Sequence, residues 1–147
     1  MLFRSGDAGA HSNLGVLLKR RMDFDGAEAA YHAAIAADPG LADAHYNLGV
    51  LLEYERQDLD GAEAAYRAAI AVDPGFADAH CNLGALFATH AEQREASGGD
   101  LSDIAALWAQ VVEHFTNGVS AGADDHGVLK RAKGEVARIQ EAISQCG

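Results

Sequence analysis

Three asparagines, Asn13, Asn47 and Asn82, each stand immediately before a Leu-Gly pair. A primary amide donates and accepts hydrogen bonds at once, so it can pair with a peptide N–H and C=O together, whatever side chains the peptide carries. On helices, neighbours at i ± 3 and i ± 4 share the amide's face. Asp43, Tyr46, Val50 and Tyr54 then accompany Asn47, and Asp78, Cys81, Ala85 and Thr89 accompany Asn82. Ser12, Val16, Lys19 and Arg20 accompany Asn13. Carboxylates beside the amides favour a guest bearing lysine or arginine. The chemistry these residues suggest is peptide binding, with Asn13, Asn47 and Asn82 on the guest backbone, Asp43 and Asp78 selecting basic side chains, and Tyr46 and Tyr54 beside them.

Catalytic chemistry finds little support. No G-x-S-x-G, phosphate-binding loop, GxGxxG or HExxH occurs. Cys81 follows His80 directly, and consecutive helical residues do not face each other, so a Cys–His nucleophile is not expected. No cofactor and no catalytic residue is called for. Cys81 and Cys146 are the only cysteines and form no CxxC, which points to a reducing compartment such as the cytoplasm. An organelle address removed beforehand would leave the same sequence. No stretch reaches the roughly 20 apolar residues that cross a bilayer, so no membrane insertion is expected.

The elements that must position the amides are written twice. Asp23 to His45 and Asp58 to His80 agree at 19 of 23 positions, offset by 35 residues. Self-similarity at that period marks a stacked-helix array rather than one globular core. The only prolines, Pro39 and Pro74, lie in Asp-Pro-Gly, which ends one helix and opens a tight turn. Between these stops the apolar spacing is three and four: Leu14, Leu17 and Leu18, then Ala27, Ala30, Tyr31, Ala34 and Ile35, and the corresponding sets at Leu48 and Ala62. Gly15, Gly49 and Gly84 fall inside helices, at a cost of about 1 kcal/mol relative to alanine. Their recurrence predicts a helix crossing with no room for a Cβ.

The net charge of −11 is uneven, about +3 over residues 1–21, −16 over 22–125 and +2 over 126–147. An acidic middle repels phosphate backbones, so no nucleic-acid partner is expected. The same middle suits a basic partner, or the basic end of another copy.

The pattern resembles the tetratricopeptide repeat (TPR) family. The first repeat supplies Leu14, Gly15, Leu18, Ala27, Tyr31, Ala34 and Pro39. The second supplies Leu48, Gly49, Leu52, Ala62, Tyr66, Ala69 and Pro74, with one extra residue expected in its inter-helix turn. The third matches at Leu83, Gly84 and Phe87, after which Ile104, Trp108 and Val111 take the places of Ala62, Tyr66 and Ala69. Its first helix should lengthen to about Ala96, followed by a Ser97–Asp100 loop, with Asp100 or Ser102 capping the next helix and Asn117-Gly118 closing it. A last helix carries Leu129, Ala132, Val136, Ile139 and Ile143. The resemblance implies an all-α, right-handed solenoid of antiparallel helix pairs, about seven helices in a single domain. Its repeats span about residues 8–41, 42–76 and 77–116, with a linker at 117–123 and a capping helix at 124–146.

The resemblance also places the three asparagines on first helices facing a concave groove. Packed helices lie about 10 Å apart, and an extended peptide advances about 3.3 Å per residue. One amide would meet the guest about every third residue, similar to the asparagine ladder in the TPR superhelix of O-linked N-acetylglucosamine transferases. TPR co-chaperones that hold a carboxylate tail instead use lysine or arginine beside these asparagines. Here Ser12 and Val16 stand at the lysine and asparagine places of the first helix, Asp78 and Asn82 stand at the two basic places of the third, and only Asn47 matches, so that ligand class is not expected. His11, His45 and His80 recur too far apart, about 10 Å per layer, to share a metal ion, and are expected between helices. His32, His90, His114 and His126 are expected at the surface.

The function implied is non-catalytic binding of an extended or helical segment of a partner protein. The alternative is a structural subunit of a larger assembly. Met1–Ala8 is too short to shield the first helix pair, so either Leu2 and Phe3 fold back over it or the N-terminal repeat face docks a partner or another copy.

Overall fold

The structure is a computed structural model describing residues 7–124 and 126–145. Among these the chain is helical throughout, without a strand. It divides into two compact units, Met1–Pro74 and Gly75–Gly147.

The first unit holds two helix pairs: α1 (Ala8–Arg20) with α2 (Phe24–Ala37), and α3 (Ala42–Leu51) with α4 (Leu59–Val72). α2 also packs on α3. The repeated Asp-x-Asp-Gly explains how each second helix begins. Asp23 and Asp58 are N-caps whose carboxylates accept from Gly26 N and Gly61 N at 3.0 Å. A Cβ on Gly26 would lie 2.5 Å from Asp23 Oδ2, so glycine there leaves room for the cap. The Asp-Pro-Gly turn is pinned twice. Asp38 Oδ1 accepts from Gly40 N at 2.9 Å, and His45 Nε2 lies 2.9 Å from the Pro39 carbonyl oxygen.

The glycine expectation holds in detail. A Cβ on Gly15 would sit 2.5 Å from the Tyr31 ring, and one on Gly49 would sit 2.7 Å from the Tyr66 ring. Both rings are buried, and burial pushes the Tyr31 phenol above its ordinary pKa. Alanines at 27, 30, 34, 62, 65 and 69 complete the thin interior between helices.

The extra residue of the second repeat lies elsewhere than expected. Leu52–Arg56 forms a π-helical turn continuing α3, so the insertion is absorbed within the helix. The turn beyond keeps the form of the first repeat: Met22 and Gln57 have φ of 61° and 57°, and each precedes the N-cap aspartate. The two amide groups of these caps, Asp23 N and Asp58 N, donate back to Leu18 O and Leu52 O, both at 2.9 Å. Keeping this turn shifts the added residue back into the preceding backbone.

The second unit holds α5 (Ala77–Ala96), α6 (Leu101–Ser120) and α7 (His126–Gln145). α5 ends at Ala96 as expected, and Asp100 caps α6 by accepting from Ser102 N at 2.8 Å. Two expectations are corrected. Gly84 faces Phe115, not Trp108, with a would-be Cβ 2.8 Å from the ring. The third repeat therefore runs in the register Val111, Phe115, Gly118. Consequently Asn117-Gly118 lies inside α6 rather than opening a linker at 117, because Gly118 is the small residue that admits Cys81 Sγ, 2.7 Å from its would-be Cβ. The turn follows at Ala121–Ala123, where Gly122 takes φ 112°. α7 lays Leu129, Ala132 and Ile139 into the interior and packs on α6. Cys146 lies outside the described residues.

Candidate protein-binding cleft

In the first unit an open cleft of about 310 Å³ is walled by Val16, Lys19 and Arg20 of α1 and Asn47 of α3. Met22, Phe24 and Tyr31 form its apolar side, and Glu55 of the π-helical turn reaches it. Spacing along α1 explains the first wall: positions 16, 19 and 20 share one face, opposite to Leu14. Asn47 is half-buried, and its amide forms no hydrogen bond with another described residue. An amide held on a cleft wall with both functions available is suited to pair with backbone.

The structure brings only some of the expected residues together. Asn13 is exposed on α1 and is not part of the cleft wall. Asp43 is exposed in the first turn of α3, one turn before Asn47. Tyr46 is half-buried with its ring 5.8 Å from that of Tyr66, so it packs toward α4. Tyr54 projects from the π-helical turn at 59 % exposure, and partial burial and then neighbouring Glu53 push its pKa up. In the second unit, Asp78 is exposed in the first turn of α5 and Asn82 is half-buried further along it.

Sequence reasoning missed Lys19, Arg20 and Glu55 as charged groups of one cleft. Lys19 and Arg20 are visible as neighbours of Asn13, but Glu55 reaches the cleft through the π-helical turn, which spacing alone does not reveal. A second concavity of about 550 Å³ lies in the second unit between the lengthened end of α5 and α6, lined by His90, Gln93, Arg94, Asp103 and Gln110 among others. None of the expected site residues reaches it.

The histidines are more varied than expected. His11 and His45 are half-exposed, whereas His80 is buried. His114, expected at the surface, packs inside the second unit. Its Nδ1 lies 3.3 Å from His80 Nδ1, and its ring stacks on Phe87 at 5.6 Å. Lengthened α5 and α6 give it that company. No group of three or more metal-ligating side chains is assembled among the described residues. No described helix is long and apolar enough to cross a membrane.

A family model described as "TPR repeat" matches residues 51–90. No curated protein sequence matches the chain. Among solved structures, MamA is similar at 26 % identity with a TM-score of 0.62 over 80 % of this chain, which spans 59 % of that protein's length. The first TPR of Spaghetti (RPAP3), bound to the HSP90 peptide SRMEEVD, aligns over 95 % of both chains at 16 % identity and a TM-score of 0.63. The Arabidopsis OM64 TPR domain aligns over 94 % of this chain and 98 % of its own at 14 % identity and a TM-score of 0.64. The glycine–aromatic crossings, the family match over residues 51–90 and these likenesses together show that the chain has the all-α fold of tetratricopeptide-repeat domains.

Proposed function

We propose that this chain is a non-catalytic protein-binding module that takes an extended or helical partner segment in the cleft between α1 and α3. The observation that carries the proposal is the Asn47 amide on the wall of an open, partly apolar cleft. Asn82 holds the equivalent place before the Leu-Gly pair of the third repeat and is proposed as a separate peptide contact within the second unit. Exposed Asp43 and Asp78, together with Glu55, favour a guest carrying lysine or arginine. Lys19 and Arg20 on the facing wall then suit a carboxylate further along the same guest.

The HSP90 peptide bound by the Spaghetti domain gives a precedent for peptide binding on this fold. Its acidic sequence differs from the guest proposed here, because Asp78 would repel a terminal carboxylate. An array of twelve-residue peptides of graded charge tests the proposal. Enrichment of lysine and arginine is expected, with affinity falling by roughly 1–3 kcal/mol in Asn47→Ala, Asn82→Ala as desolvated amides are lost. Equal binding by the folded double variant would refute the asparagine grip.

A further inference from the structure

The repeats allow the bare face of α1 to be compared with the covered face of α3. Leu14 and Leu17 occupy the repeat positions of Leu48 and Leu51. The second pair is buried, at 6 % and 0 % exposure, in a helix on which α2 packs. The first pair is exposed at 46 % and 56 %. A charged position matches as well. Arg21 and Arg56 each directly precede the residue of positive φ and the N-cap aspartate. Arg56 pairs with Asp25 and Glu28 of α2. Arg21 is exposed and makes no ion pair with a described residue.

The surface that α2 covers on the second repeat is thus present, uncovered, on the first. Its two parts specify an occupant. The leucines need an amphipathic helix with a narrow apolar stripe. Arg21 needs two carboxylates spaced three apart near that helix's start, as Asp25 and Glu28 are in α2. A second copy is a poor source, because its own α2 already has those carboxylates on Arg56. We propose that the outer face of α1 docks an acidic amphipathic helix of a partner protein, bearing an Asp-x-x-Glu pair in its first turns. This surface is separate from the α1–α3 cleft and goes beyond the function proposed for it.

The probe is a fluorescent peptide copying Asp23–Asp38, held helical by a staple between positions 32 and 36, which are exposed in α2. Anisotropy at low salt should show binding to the whole chain. Leu17→Glu should abolish it, and Arg21→Glu should weaken it about tenfold through like-charge contact. A peptide with Asp25→Lys and Glu28→Lys should restore binding to the Arg21→Glu chain. Asn47→Ala should leave the peptide's affinity unchanged, which separates this surface from the cleft. Both substituted side chains on the chain are exposed, and unchanged circular dichroism confirms folding. Absence of binding, equal binding by Leu17→Glu, or failure of the charge swap would overturn the proposal. So would sedimentation showing a dimer that Leu17→Glu dissolves, since a second copy would then own the face.

Discussion

Gly84 and Phe115 meet so closely that a methyl group on Gly84 would lie 2.8 Å from two ring carbons. The ring is 3 % exposed and has little room to retreat. Alanine would gain about 1 kcal/mol in helix propensity, but overpacking costs typically about 1–3 kcal/mol. Gly84→Ala should therefore leave the second unit less stable by up to about 2 kcal/mol, measured by urea unfolding followed at Trp108. Placed in a Phe115→Leu background, the same substitution should cost less. Equal costs in both backgrounds would show that the ring is not the obstacle.

That contact also shows what sequence spacing leaves open. Ile104, Trp108, Val111 and Val111, Phe115, Gly118 both read as apolar, aromatic, small at spacings of four and three. Periodicity cannot choose between them, because α6 is amphipathic over its whole length and both aromatics are buried. The glycine on the facing helix decides. In the first two repeats near-identical sequence leaves no second register, so a close helix crossing at Gly15 and at Gly49 was legible, while the rings that make it, Tyr31 and Tyr66, are seen only in the structure. The π-helical turn was not, since an inserted residue carries no mark of whether helix or loop absorbs it. The asparagine positions were legible as helix positions. That Asn47 lines a cleft and Asn13 does not depends on the packing of α1 against α3, which residue type does not encode.

Tyr66 donates its phenolic proton to Glu53 Oε2 at 2.6 Å, joining α4 to the π-helical turn. A hydrogen bond to a charged acceptor contributes about 1.5–3 kcal/mol, and Glu53, being only half-buried, recovers part of that from water. Tyr66→Phe should cost about 1 kcal/mol. It should also raise amide exchange at residues 53–57 more than in α1. Uniform change across the first unit would indicate lost packing instead of a loosened turn.

Asp100 accepts from the hydroxyl and the backbone N–H of Ser102, which hold its carboxyl below the ordinary pKa. A lowered folded-state value means that the ionised cap stabilises the second unit fully above the unfolded-state value, about 3.9. That contribution is lost as pH falls through the lower folded value. Asparagine caps helices about as well as aspartate but does not titrate in this range. Asp100→Asn should thus match the parent near neutrality and show a flatter decline of thermal stability below pH 4. Parallel acid limbs in the two proteins would assign the decline to other carboxylates.

α7 is joined to α5 by exposed ion pairs, Arg131 with Glu92 and Arg138 with Glu95, and to α6 by buried Leu129, Ala132 and Ile139. Arg131 also lies 5.9 Å from the centre of the Trp108 ring. Exposed pairs contribute about 0–1 kcal/mol and are screened by salt. Ile139 is fully buried, and truncating such a side chain to alanine costs about 2–5 kcal/mol. Docking of α7 should therefore depend on its apolar stripe. Raising salt to 1 M should change amide protection of α7 by less than about tenfold, whereas Ile139→Ala should nearly abolish it. Trp108 fluorescence gives the same comparison, shifting to the red in Ile139→Ala as water reaches the α6 face. Loss of protection in salt alone would mean that Arg131 and Arg138 hold the helix, and that its apolar contacts are too few to keep it in place.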